Sequence, residues 1–253
     1  MKTIPESGHA KNIANFSKLI AEVTSYGKDY SPANKKIVLT ALQLVFTSAD
    51  TSKTDLANAI QLRQSAATDR NSLFIPLGPL ATRIQRAFVS TEDVEDDTVY
   101  QVKSLVKKIH GERIIPLAKI PVTTSATDSL TPVPAAVTNS VSHKSYTNLA
   151  EHLTNLNIIL SKETNYKPNE TDLKSASVTL LTTDMVAKNN ACDTAESNVH
   201  AATNNRNTQL YANTDGLVDL AKTVKEYVAS IYGFRSPQYK QVNRIRFTKS
   251  VHL

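Results

Sequence analysis

Between Val38 and Leu73 the apolar and small residues keep a regular beat. Val38, Leu42, Val45, Ala49, Ser52, Leu56, Ala59, Arg63, Ala66, Arg70 and Leu73 follow one another in alternating steps of four and three. That spacing is a heptad seam, which lines these residues along one side of an α-helix. Ser31–Pro32 reads as its start, with serine as cap and proline in the first turn. "IPLGP" from Ile75 reads as its stop. The weak stretch is "SADTSKTD" (Ser48–Asp55), whose side chains favour caps and turns over helix interiors. A break there is the alternative to one continuous helix.

The pattern occurs twice. A shift of 136 residues lays Tyr30 on Tyr166, Pro32 on Pro168, Leu44 on Leu180, Ala59 on Ala195, Ala66 on Ala202 and Arg70-Asn71 on Arg206-Asn207. The seam reappears as Val178, Leu181, Met185, Cys192, Ala195, Val199 and Ala202. Downstream, "LATRIQRAFVS" meets "LAKTVKEYVAS" and "VYQVKSL" meets "YKQVNRI"; upstream, "FSKLIAEV" from Phe16 meets "YTNLAEHL" from Tyr146. The shared order and near-constant offset point to a diverged tandem duplication.

Each half then reads as a short amphipathic helix, a long helix, a third helix and a short terminal one. The first is marked by Ile13, Phe16, Ile20 and Val23, and by Tyr146, Leu149, Leu153, Leu156 and Leu160. The third carries Leu80, Ile84, Ala87 and Phe88, matched by Leu217, Leu220, Ala221, Val224, Tyr227, Val228 and Ile231. "SPQYKQV" opens the last, again serine then proline. The fold expected is all-α: an elongated helical bundle in which shorter antiparallel helices cover each long one. Residues 1–110 form the first repeat and 146–253 the second, with a basic C-terminal tail. The segment 111–145 reads as a Pro/Thr/Ser-rich linker, with "RIIPLAKIPV" as an extended or edge-strand piece.

Composition narrows the class. The chain has 253 residues, few glycines and no tryptophan, as suits closely packed helices. Its lone cysteine, Cys192, precludes an internal disulfide and fits a reducing, cytoplasmic setting. The N-terminus lacks the apolar core of a secretory signal, and no apolar run is long enough to span a bilayer. The net charge of +6 raises the question of an anionic partner.

"YKPNETDL", "NNRNTQLY", "GLVDLAKTVKEYVASIYG" and "SPQYKQVNRIRFT" resemble a group of uncharacterised helical proteins from Bacteroidetes bacteria. The resemblance is best over the second half and loose over most of the chain. It implies a bacterial source and a helical fold, and carries over no activity and no catalytic residue.

Chemistry-bearing patterns are sparse. No two histidines stand three or four residues apart. "ESGH" (Glu6–His9) has Glu-x-x-His spacing but no second copy. Glu196 and His200 read as a solvated pair, and Cys192 reads as core on the seam. Phosphate-loop, dinucleotide and nucleophile-elbow motifs are missing. No catalytic, cofactor-binding or metal-ligating residue is assigned, and the chain reads as a non-enzyme without a cofactor.

Two features remain. Arg70, Asn71, Arg206 and Asn207 form a repeated polar pair, read first as a register-setting structural contact and second as an anion site used twice. The segment "FRSPQYKQVNRIRFTKS" carries Arg235, Lys240, Arg244, Arg246 and Lys249 with Phe234, Tyr239 and Phe247 interleaved, and no acid. The matching place in the first half is the acidic "TEDVEDDT" (Thr91–Thr98). Opposite charges at equivalent ends suggest a structural or protein-interaction module that self-associates. The alternative partner is nucleic acid, held by phosphate contacts and base stacking.

Overall fold

A computed structural model describes residues 6–112 and 144–248. The linker expected at 111–145, with its extended piece, lies almost wholly outside the described residues, as does Lys249. The described residues are helical, with no strand among them. Their order is α1 (Glu6–Ser25), α2 (Leu39–Phe74), α3 (Leu77–Val89), α4 (Asp96–His110), α5 (Tyr146–Lys162), α6 (Ser175–Tyr211), α7 (Leu217–Tyr232) and α8 (Pro237–Arg244).

The long helices are α2, of 36 residues, and α6, of 37. At about 1.5 Å rise per residue each runs for roughly 55 Å. No break occurs at Ser48–Asp55. Its hydroxyls turn back onto the helix: Ser52 Oγ donates to the Ala49 carbonyl (2.8 Å) and Thr54 Oγ1 to that of Asp50 (3.0 Å). Lys53 and Asp50 form an ion pair at 2.6 Å. Polar side chains satisfied this way no longer compete with the helix. α6 does the same through Thr179, Thr182, Thr183, Ser197, Thr203 and Thr208. Leu42, Ala49, Ser52, Leu56 and Ala59 of the seam are buried, and its other members are half-buried.

The helix start differs from the expectation at Ser31–Pro32. A 3-10 turn at Lys35–Ile37 comes first, capped by Asn34, whose Oδ1 accepts from Lys36 N (3.0 Å). The buried Tyr30 hydroxyl donates to the Ile37 carbonyl (2.7 Å). That bond holds the turn, and extended Val38 separates it from α2. The same device precedes α6. A 3-10 turn at Thr171–Leu173 is held by the Tyr166 hydroxyl donating to the Leu173 carbonyl (2.9 Å).

Contacts gather the chain into two compact units, each with its own core. Unit 1 comprises Met1–Ser65 with Asp193–Leu253, and unit 2 comprises Ala66–Cys192. The division falls inside both long helices. These units are not the sequence halves, because each takes helices from both. In unit 1, Phe16, Leu19 and Val23 of α1 and Leu42 of α2 share a core with Val224 of α7 and Val242 of α8. In unit 2, Ile84 and Phe88 of α3 and Val106 of α4 share a core with Leu153 and Leu156 of α5 and Met185 of α6. The entry tyrosines follow suit. Tyr30 packs edge-on to Tyr227 of α7 (5.4 Å between centroids), and Tyr166 meets Phe88 of α3 (5.6 Å).

Each unit also has an ion pair between α2 and α6: Arg63–Glu196 (3.1 Å) in unit 1 and Asp69–Lys188 (2.9 Å) in unit 2. Both are half-exposed, so they set register more than they stabilise. α4 ends on Gly111, whose positive φ of 75° suits glycine and closes the helix onto the Lys107 and Lys108 carbonyls.

Burial raises the Tyr166 phenol to about 12, helped by the Glu170 and Asp172 carboxylates; burial, with Tyr227 beside it, also raises Tyr30. A free phenol titrates near 10. The native preference for the protonated phenol therefore contributes stability that is whole below about pH 10 and is lost as pH climbs through about 12. Tyr166→Phe is expected to cost about 1–2 kcal/mol in urea unfolding at neutral pH. It should also flatten the loss of stability between pH 10 and 12. An unchanged alkaline profile in the Phe variant would contradict the assignment.

Candidate functional site

The basic segment starts from the end of α7. Gly233, with φ at 82°, caps α7 by donating its N–H to the Ala229 carbonyl (2.8 Å). Ser236 then caps α8 by accepting from Tyr239 N (3.1 Å), and Pro237 occupies the first turn, as the sequence suggested. Val242 is buried on the inner face of α8, while Lys240 and Arg244, one helical turn apart, are exposed. Arg235 and Arg246 are exposed too. Among the described residues none of these four cations has an ion-pair partner. Phe234 is 65% exposed and stands edge-on to Tyr239 (5.1 Å).

Beyond α8, Ile245–Thr248 form a docked strap. Lys225 Nζ of α7 donates to the Ile245 carbonyl (2.5 Å), Asn15 Nδ2 of α1 to that of Arg246 (2.7 Å) and Asn12 Nδ2 to that of Thr248 (2.8 Å). Thr248 N donates back to Asn12 Oδ1 (3.0 Å), so one side-chain amide pairs with the backbone as a neighbouring strand would. The Phe247 ring meets Phe16 edge-on (6.4 Å), and Lys225 Nζ lies 5.3 Å from its centroid. Burial lowers the Lys225 ammonium below its usual range. Beneath the strap, Asn12 Nδ2 also donates to the Tyr211 hydroxyl (3.2 Å), which is hydrogen-bonded to His9 Nδ1 (2.7 Å). His9 of "ESGH" therefore belongs to a buried polar node.

Sequence reasoning did not find Asn12, Asn15 or Lys225. One signal was present: Asn12 sits four residues before Phe16 on the apolar stripe of α1, where a polar side chain must find a partner. The strap itself gave none, since its partners on α1 are more than 230 positions away.

The acidic counterpart lies in unit 2. Glu92 and Asp93, on the loop between α3 and α4, are exposed, as are Glu95 and Asp96-Asp97 at the start of α4. None has an ion-pair partner among the described residues. Asp96 and Asp97 suit the positive end of the α4 dipole. Glu92, Asp93 and Glu170 border an open cleft of about 530 Å³. The charge asymmetry extends to the units. All of the +6 belongs to unit 1, with sixteen Lys and Arg against ten Asp and Glu; unit 2 balances thirteen against thirteen.

The repeated Arg-Asn pairs diverge. The Arg70 guanidinium stacks 4.1 Å from the Tyr146 ring centroid, and the Tyr146 hydroxyl donates to Asn71 Oδ1 (3.4 Å). Arg206 is buried and donates from Nε (3.3 Å) and Nη2 (2.9 Å) to Asn207 Oδ1. The residue aligned with Tyr146 in the first half is Phe16, which has no hydroxyl to offer. Cys192 is buried on the seam. Glu196 bridges Arg63 and the exposed His200 (3.5 Å). The aligned Leu44 and Leu180 are both exposed, at 70% and 69%, on the outer faces of the long helices.

Among the described residues no group of His, Cys, Asp or Glu is placed to hold a metal ion, and no helix is long and apolar enough to cross a membrane. No family model, curated protein or solved structure matches the chain.

Asn12→Ala removes both amide bonds to Thr248 and is expected to cost about 1–3 kcal/mol. Limited proteolysis should then clip the chain near residues 245–248 well before the core is attacked. Equal protease resistance in variant and parent would show that the amide does not hold the strap.

Proposed function

We propose that this chain is a non-enzymatic helical interaction module that associates with further copies of itself. The acidic α3–α4 loop of one copy meets the basic α8 segment of another. The carrying observation is complementarity left unused: four exposed cations on one segment and five exposed acids on another, none ion-paired among the described residues. One exposed ion pair contributes only about 0–1 kcal/mol, so several must act together with apolar contact. Each charged segment has such a contact at its edge, Val89 beside the acids and Phe234 beside the cations.

The reading takes the chain as a diverged tandem duplication. Its support is the matching tyrosine bonds, Tyr30 to Ile37 and Tyr166 to Leu173, each over a 3-10 turn that leads into a long helix.

Replacing Arg244 and Arg246 by Glu is expected to weaken self-association at least about tenfold in sedimentation equilibrium. Asp96→Lys with Asp97→Lys should do the same, and mixing the two double variants should restore association. Raised salt should weaken the parent. A strict monomer at high concentration, or association indifferent to salt and to both reversals, rejects the proposal.

A second reading is favoured by Phe234, an exposed ring held against Tyr239 among unpaired cations, as a platform for stacking bases would be. On that reading binding to single-stranded nucleic acid falls steeply with salt. It also weakens when Arg244, Arg246 and Lys249 are replaced; affinity unmoved by those replacements disposes of it.

A further inference from the structure

We propose that the groove between α1 and α7, filled here by Ile245–Thr248 of the same chain, also receives that segment from a second copy. Two copies then associate by exchanging C-terminal straps.

The groove reads backbone. Asn12 and Asn15 address main-chain atoms of Thr248 and Arg246, and Lys225 addresses the Ile245 carbonyl. Phe247, against Phe16 and Lys225, and the partly buried Ile245 supply the side-chain anchors. Every one of these contacts is the same whether the strap belongs to the chain that forms the groove or to another, so exchange sacrifices none of them. The strap is also cheap to lift. It leaves with α8, a helix of eight residues in which Val242 alone is buried. Lifting the segment exposes Val242 and the partly buried Tyr239, Ile245 and Phe247, a small share of the unit 1 core.

The connection favours exchange as well. Residues 233–236 join α7 to α8, and Gly233 already stands at φ 82°, where glycine alone turns without strain. A short joint with a glycine free in φ can redirect α8 without added strain.

The inference rests on the self-association reading in requiring two copies, and it names a contact separate from the charged pair. The test uses full-length chains carrying Cys192→Ser. One variant has Asn15→Cys, a second has Arg246→Cys, and a third carries both. The two single variants are mixed, unfolded, refolded together and treated with a short bis-maleimide. Exchange gives a cross-linked species holding one chain of each kind, and Phe247→Ala in the Arg246→Cys chain should reduce its yield at least about fivefold.

The third variant cross-linking within itself establishes that the pair is within reach. If it does so while the mixture yields no mixed species, exchange is wrong. Light scattering on the same samples then separates the readings: dimers without cross-links remove strap exchange alone, and monomers throughout remove self-association as well.

Discussion

The apolar side of a long helix has to be kept from water along its whole length, and the helix cannot do that for itself. In this chain two helices of 36 and 37 residues impose that demand. The shorter helices answer it towards the ends of each long helix, while the buried Leu56, Ala59, Cys192 and Ala195 between belong to neither shared core. Near its start, α2 shares a core with α1 from its own half and with α7 and α8 from the other. Near its start, α6 shares a core with α5 from its own half and with α3 and α4 from the other. Neither sequence half holds a complete set of partners for its own seam.

The bends that make this arrangement possible are small. Before each long helix a buried tyrosine reaches seven residues forward to a carbonyl, holding a single 3-10 turn. Each of these tyrosines is also a packing residue against a helix of the other half, Tyr30 on α7 and Tyr166 on α3. One side chain thus sets where the long helix begins and which surface covers the turn. Its hydroxyl bond removes a polar group from an otherwise apolar contact, where an unmet partner would be costly.

Much of the helical layout was legible because burial follows periodicity. The seam through Leu42, Ala49 and Leu56 and the stripes of α1, α5 and α7 are where the spacing places them, except that Ile231 at the end of α7 is exposed. One local rule misled. Ser31–Pro32 looks like a helix start, but the tyrosine bond moves α2 to Leu39. The continuous helix expected through Ser48–Asp55 is present, its hydroxyls satisfied within the helix, so the alternative of a break falls away. Side-chain bonds that composition does not reveal decide both points. At the candidate site the exposed cations were legible as a run of charge. The docking of the strap was not, because Asn12 and Asn15 come from the far end of the chain. The repeated Arg-Asn pairs were found by alignment, but their contacts differ: Arg70-Asn71 meets the Tyr146 ring and hydroxyl, while Arg206 donates to Asn207.

Two ways of burying surface therefore meet in this molecule. Within each unit, segments distant in sequence supply one another's missing faces, and the proposed charge pairing and strap exchange would extend the same habit to a second copy. The most direct measurement bears on the first. Residues 1–110 and 146–253, expressed as separate polypeptides, should each lack a cooperative thermal transition, because each holds only part of either core. Mixed together they should regain helical circular dichroism and a single sharp transition. Two fragments that each melt cooperatively alone, and show no change on mixing, would contradict the account.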